Sequence, residues 1–581
     1  MTIFAGVFSR DGTALCEETA ADLVTALGRS GDSVDTFRDS NIFLAKVNIG
    51  AFDDLGLHRS ERGTATALAG DPLYDDAVPS RDAQLTTLTP ALGEGQLTCL
   101  GRCNGQFALA HWEASRNLLI LATDFCGVRP VYYHVAEDKV LFATALHVLE
   151  SVRSLEKSMD FLGVTEQLSF GYPLGNRTPY ANIRCLGAGQ ALSCNLATTS
   201  LETYERMDAV DESDTPIEKL AEEAYGRFHD AIGRRTGGRS SALAFLSGGL
   251  DSRCVVADLD SACRDVLCLN ILRPGRLDTT LARRFAEKIG LPLREMEVHK
   301  DERQRVSIGM AFGRLQEDER AGRASIIFSG DGGSVGTGHV YMTQEIIDQM
   351  RADDLKGASA WTLAHRGRLS RWALHGPAYR ERVAMLQHSI ETELASIRGP
   401  VEPGRRYHLF LMQNDQHRHV HHHYEDIDRY RTEFQSPFYD THYLRLILSV
   451  PIEECLRHRF YHKMLEHFQA ATREVPWQAY RGHLACPIPL PKDGARDQWT
   501  TSDRHAAWRR GRRDFDACLR RIRRWRLPTE FGIRRGRVLA ALAVHALRLR
   551  SGTGMFRIVN TYGETLERSQ GRVVFPEVNS R

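Results

Sequence analysis

The chain has 581 residues, 42% hydrophobic and 26% charged, a composition with material for several cores and an expectation of two or three domains. Its 75 basic residues nearly cancel its 74 acidic ones, so no global field favours nucleic acid or an anionic membrane as partner. The 12 cysteines show neither CxxC pairs nor a disulfide rhythm, which predicts free thiols in a reducing cytoplasm.

The opening "MTIFAGVFSRDG" has no basic region followed by a long apolar run, so no export signal is expected. "LLILATDFCGVRPVYYH" and "VLFATAL" are β-branched and aromatic runs broken by Gly and Pro, which predicts a sheet-rich α+β domain over 1–205. In "TPIEKLAEEAYGRFHDAIGRR", Leu220, Ala224, Phe228 and Ile232 recur at helical spacing behind the start signal Asp214-Thr215-Pro216. A second domain, 206–581, begins there. It alternates strand and helix: "LAFL", "SRCVVADL", "VLCLNIL", "TTLARRFAEKIG", "SIIFSG". That alternation predicts an α/β, doubly wound parallel sheet with ligands at the carboxyl ends of its strands. "VLAALAVHAL", Val538 to Leu547, is too short to span a bilayer, and no membrane partner is expected.

The sharpest local signal is "SGGLDSR" between "ALAFL" and "CVVADL". A strand that turns through Ser247-Gly248-Gly249 directly into a helix presents backbone N–H groups around a concavity suited to phosphate. The hydroxyls of Ser247 and Ser252 can donate to phosphate oxygens, and Asp251 is a plausible partner for a nucleotide's Mg²⁺. The spacing is not that of a Walker loop. A glycine turn serving only tight strand–helix packing is the alternative.

"SGGLDS" resembles the PP-loop of ATP pyrophosphatases, and the surrounding chain resembles the asparagine synthetase superfamily. "GRCNGQFALAHWEASRNLLILATDFCGVRPVYYH", with Asp124, Gly127, Pro130 and Tyr132, is similar to the end of that family's Ntn-type amidotransferase domain; "LFATALHVL" and "TPYANIRCLGAGQAL" continue the match. "VLCLNILRPG", "FSGDGG" and "FQSPFYDTHYLRLIL" resemble the adenine strand, the pyrophosphate-facing segment and the block that follows. The resemblance implies an ATP-dependent, AMP-forming amide ligase using ATP and Mg²⁺. Leu246, Ser247, Gly248, Gly249, Asp251 and Ser252 would hold phosphates and metal, Ile271 would lie along the adenine, and Ser329 and Gly330 would border ribose or pyrophosphate. Asp331 stands where the family has an acid tied to adenylate formation, and it is with Asp251 a candidate metal ligand; a turn cap is its bland alternative. Ser334 stands where a further family acid is expected.

Departures from the family shape the functional expectation. Thr2 replaces the glutaminase cysteine and "AGDPLY", Ala69 to Tyr74, replaces the glutamine-holding motif, which predicts a degenerate glutaminase. The family's catalytic lysine is missing, leaving Tyr480 and Arg481 as candidates to face the adenylate. The amine is then expected on the activated molecule itself, as in lasso peptide cyclases, with a precursor core peptide as substrate and a leader-peptide-binding protein and leader peptidase as partners. An asparagine or β-lactam synthetase acting on a small molecule, and a non-catalytic nucleotide-fold scaffold, are the alternatives. "HRHVHHHYED" invites a zinc reading, but a polar cavity wall or plain surface is favoured over it, with His421 or Glu425 touching substrate. The arginine-dense stretch from Arg504 to Arg550 reads as a solvated helical face or a docking surface for peptide or protein, ahead of a nucleic-acid stripe.

Overall fold

The computed structural model describes residues 3–12, 15–60, 63–74, 80–272, 277–296, 325–369, 374, 376–478, 504–525, 533–547, 549 and 552–574. The N-terminal part is a four-layer stack built on two six-stranded antiparallel sheets. Side-chain alternation along the strands assigns residues to layers. In the strand Phe4–Ser9, Phe4 and Phe8 point between the sheets, where they join Ile42, Leu44, Trp112 and Phe142. Ala5 and Val7 point the other way, onto a cluster with Leu23 and Leu27 of the helix Glu17–Leu27. The second sheet is covered in the same manner by Leu85, Leu88 and Leu92 of the helix Arg81–Gly93. The mixed sheet-and-helix character read from the sequence is thus met by an α-β-β-α sandwich.

The helix Ile217–Thr236 buries Leu220, Ala224, Phe228 and Ile232, the residues its periodicity picks out. It leads into a five-stranded, all-parallel sheet ordered Leu293–Met296, Asp265–Ile271, Ser241–Phe245, Ser325–Phe328 and Thr432–Gln435. Numbered along the chain within this sheet, the order is 3-2-1-4-5. The direction of winding therefore reverses between Ser241–Phe245 and Ser325–Phe328, and the loops leaving those two strands diverge to leave a crevice at their carboxyl ends. The strand Thr432–Gln435 is absent from the sequence reading.

Buried polar contacts join the two parts. Arg129 forms an ion pair with Glu433, both side chains almost wholly buried, and stacks over Tyr424 at 4.2 Å. Arg235 bridges Asp440 at 2.8 Å and the Asn104 carbonyl at 3.1 Å. The C-terminal helices cross the expected boundary at residue 205. Cys518, Ile522, Val538, Phe556 and Val559 build one core with Met159, Val164 and Leu168. Val573–Val574 adds a parallel strand to Lys157–Ser158. The described cysteines are free thiols, and no helix among the described residues is long and apolar enough to cross a membrane.

Candidate active site

The hinge sits at the reversal point of the sheet. Strand Ser241–Phe245 ends, Leu246 donates its N–H to Leu269 O at 2.8 Å, and the helix Asp251–Ala262 starts five residues later. Leu246 is fully buried and its carbonyl accepts from Asn270 Nδ2 at 2.7 Å, so it anchors the loop to the sheet.

The loop N–H groups differ from the expected open cradle. Ser247 N–H donates to Ser252 Oγ at 2.9 Å, Gly248 N–H to Asp278 Oδ1 at 3.0 Å, and Gly249 N–H to Ser247 Oγ at 3.2 Å. Hydroxyls one helical turn away and a carboxylate at the start of the next helix satisfy groups that burial would otherwise leave unpaired. A Cβ on Gly248 would come within 2.8 Å of both Asp278 Cα and Gln478 Nε2. The second loop approaches more closely still: a Cβ on Gly330 would lie 2.5 Å from the Ser252 nitrogen and 2.8 Å from the Asp251 carbonyl carbon. Glycine at these two positions is a packing requirement.

What the loops present to the crevice is oxygen. Ser247, Asp251, Ser252, Ser329, Gly330 and Asp331 line one wall of a cavity of about 570 Å³. Ser329 Oγ donates to Asp331 Oδ2 at 2.8 Å and accepts from the Asp331 N–H at 3.2 Å. Tyr461 donates to Asp251 Oδ1 at 2.9 Å. Burial pushes the Asp251 carboxyl up to about 7; the Tyr461 hydrogen bond opposes that rise, the Asp331 charge reinforces it, and the Ser334 N–H opposes it. Two carboxylates and three hydroxyls converging on one cavity suit a hard cation such as Mg²⁺. Among the described residues no group of three or more His, Cys, Asp or Glu could hold a metal alone. Phosphate oxygens and water would have to complete the shell, the usual mode for Mg²⁺.

The other wall comes from residues that no motif announces. Phe170, Tyr172, Tyr341, Arg366, Arg368 and Asp415 line it, together with His419. Asp415 accepts from Tyr172 at 2.7 Å and pairs with Arg366 at 2.9 Å, while Arg366 stacks over Tyr341 at 4.0 Å. Phe170 ends a helix of the N-terminal part, so both parts of the chain shape this cavity.

Other predicted residues fall elsewhere. Ile271 closes its strand opposite Met296 and is outside the cavity wall. Tyr480 and Arg481 lie outside the described residues. His421 does not reach the cavity: it is buried, with Nε2 3.0 Å from the Gly127 carbonyl. Glu425 takes a hydrogen bond from Tyr132, and burial pushes its carboxyl up to about 7. Both serve the contact between the two parts because their helix, His417–Glu425, turns that face toward the sandwich. Asp124, one of the residues that carry the amidotransferase resemblance, is buried and accepts the N–H groups of Cys126, Val128 and Arg129 at 3.0 to 3.2 Å, fixing the turn that carries Gly127. At the "AGDPLY" segment, Gly70 has φ +96°, and a Cβ there would meet Gln106 O at 2.0 Å and Arg129 Nε at 2.6 Å. Arg81 Nη1 donates to Gly70 O at 3.1 Å, and Lys46, paired across the sheet from Phe4, is buried on Gly56 O at 2.7 Å.

Two segments of the chain resemble known families. Residues 85–205 match the family of the glutamine amidotransferase domain, and residues 223–313 match asparagine synthase. Glutamine-hydrolysing asparagine synthetase 3 of Bacillus subtilis is 28% identical over 168 residues, 28% of this chain and 27% of its own. A putative asparagine synthetase of Methanocaldococcus jannaschii is 29% identical over 163 residues, 27% of this chain and 31% of its own. An amidase of Penicillium rubens is 24% identical over 226 residues, 35% of this chain and 33% of its own. The matched segments thus span about a third or less of these relatives. A segment similar to glutamine amidotransferase domains followed by one similar to asparagine synthase, with the hinge between strand and helix inside the second, makes the chain similar in domain order to the asparagine synthetases.

Proposed function

We propose that the protein is an ATP-dependent, AMP-forming amide ligase whose attacking amine arrives on the substrate and not from glutamine. The observation that carries this reading is the single cavity whose one wall is the pair of oxygen-rich loops at the sheet's reversal point. On this reading Ser247, Ser252 and Ser329 would turn their hydroxyls from the contacts they make here to phosphate oxygens, while Asp251 and Asp331 would hold Mg²⁺, which would supply counter-charge to the phosphates. The substrate carboxylate attacks the phosphorus nearest the ribose, pyrophosphate leaves, and the acyl adenylate is then opened by the amine, releasing AMP. The chain contributes alignment and an aromatic wall of Phe170, Tyr172 and Tyr341 that keeps water from the mixed anhydride.

A silent glutaminase is supported by Thr2 in place of cysteine and by the crowding at Gly70, where Arg81 and Arg129 fill the region. An amine carried on the substrate fits that loss, and a precursor peptide closed into a macrolactam as in lasso peptide cyclases, with a leader-binding protein and a leader peptidase upstream, is the form of it we favour. Similarity to asparagine synthetases of Bacillus subtilis and Methanocaldococcus jannaschii supports the second reading, amidation of a small acid such as aspartate.

The test is incubation with Mg·ATP and, in parallel, ammonium, glutamine and acidic core peptides. AMP and pyrophosphate are expected, with a mass loss of one water from a peptide that cyclises. Formation of ADP alone, or glutamate from glutamine, removes the reading.

A further inference from the structure

The second wall holds more positive charge than its own acids answer. Arg366 is matched: Asp415 pairs with it at 2.9 Å, and both Asp415 oxygens are engaged, Oδ1 by Tyr172 and Oδ2 by Gln416 at 2.9 Å. Two residues on, Arg368 lines the same cavity with an exposed side chain and has no carboxylate partner among the described residues. Its backbone is fixed, since its N–H donates to Ser169 O at 3.1 Å beside Phe170. A second guanidinium stands next to it. Arg557, on the helix Thr553–Arg568, donates through Nη2 to the Arg368 carbonyl, and its Nε is buried without a hydrogen-bond partner. Burial and the Arg368 charge both lower the Arg557 pKa, the sign of like charges held together without a counter-ion.

A guanidinium with no carboxylate partner among the described residues, with a second guanidinium donating to its own backbone carbonyl, attracts an oxyanion into the cavity it lines. We infer that Arg368, backed by the field of Arg557, binds a second anionic group of the substrate, a carboxylate distinct from the one that is activated. This deepens the proposed reading and rests on it for the word substrate. The loops at the strand ends already bring the hydroxyls of Ser247, Ser252 and Ser329 to the opposite wall, where the proposed reading puts the nucleotide phosphates, so a carboxylate is assigned here and not a nucleotide phosphate. The substrate class is then a dicarboxylic amino acid, or a peptide whose free C-terminus or neighbouring acid lies beside the activated side chain. Arg368 is a binding residue in this scheme, and Arg557 a positioning residue.

The full chain and its R368A and R368K variants are titrated calorimetrically with Mg²⁺ and α,β-methylene ATP, then with two matched probe pairs. L-Aspartate is compared with β-alanine, which lacks its α-carboxylate, and Gly-Asp-Gly with its C-terminal amide. In wild type at least one pair should show tighter binding of the two-carboxylate member by on the order of tenfold. R368A should erase that gap, R368K should keep part of it, and nucleotide affinity should be the same in all three. Equal binding within both pairs in wild type, a gap that survives R368A, or a loss of nucleotide affinity in R368A each overturns the assignment. Failure of the parent reading is seen separately, as absence of AMP and pyrophosphate in the turnover assay.

Discussion

Tyr461 and Asp251, 210 residues apart in the chain, meet through a hydrogen bond of 2.9 Å that the phenol donates to Oδ1. Burial holds the Asp251 carboxyl up near 7, and the phenol is the strongest influence drawing it down. Tyr461→Phe should therefore move the acidic limb of the pH–rate profile for pyrophosphate release upward by about half to one pH unit, the worth of one hydrogen bond. An unmoved limb would mean that Asp251 does not need to be ionised.

The same carboxyl governs stability without nucleotide. Its folded pKa lies above the unfolded value of 3.8, so the folded state binds the proton more strongly. The resulting stabilisation is complete below 3.8 and is lost as the pH rises through about 7. Urea unfolding across that window should show this contribution falling with rising pH, and Asp251→Asn should lessen the slope, leaving the share of Glu425, while abolishing turnover.

Asp278 holds the hinge from outside by accepting the Gly248 N–H at 3.0 Å. Asp278→Ala leaves a buried donor unpaired and should cost about 1–3 kcal/mol in unfolding free energy, with a raised KM for ATP. Asp278→Asn keeps an oxygen acceptor and should recover most of both.

Gly330→Ala places a methyl against backbone of the hinge, 2.5 Å from the Ser252 nitrogen. Backbone cannot rotate aside as a side chain can, so a loss of about 1–3 kcal/mol is expected together with loss of nucleotide binding. Calorimetric titration with Mg²⁺ and α,β-methylene ATP measures the second effect directly.

The Arg129–Glu433 pair joins the sandwich to the last strand of the parallel sheet. Removing one partner strands the other charge in the interior, and Glu433→Ala should lower stability by about 3–5 kcal/mol. Limited proteolysis should then cut between the two parts where the wild type resists.

Much of this architecture is written in local pattern. The strand Asp265–Ile271 and the helix Ile217–Thr236 show their periods plainly, and the hinge lies where glycine, serine and acid cluster between two apolar runs. The strand Thr432–Gln435 could not be seen that way: its four residues are all buried, yet Glu433 among them is a charge tolerated only because Arg129 meets it from the other part of the chain. The expected open ring of loop N–H groups failed for a related reason, since the Asp278 carboxylate that captures one of them sits on a later helix. The second cavity wall is harder still. Tyr172 and Asp415 are 243 residues apart, and neither belongs to a spaced motif. The histidine run read as a polar cavity wall does reach the cavity, but through His419 and not through His421 or Glu425, because which side of the helix meets the sandwich is set by tertiary packing and not by the run itself.

The pairing of Val573–Val574 with Lys157–Ser158 also orders events during synthesis. The nucleotide hinge leaves the ribosome long before the helix Thr553–Arg568, which packs beneath Phe161–Phe170 and supplies Arg557 beside the cavity. A nascent chain can thus form its hinge while the wall behind Phe170 is still unbraced. The brace behind Phe170 is therefore completed only once residues 553–574 have folded back onto Lys157–Ser158 and Phe161–Phe170.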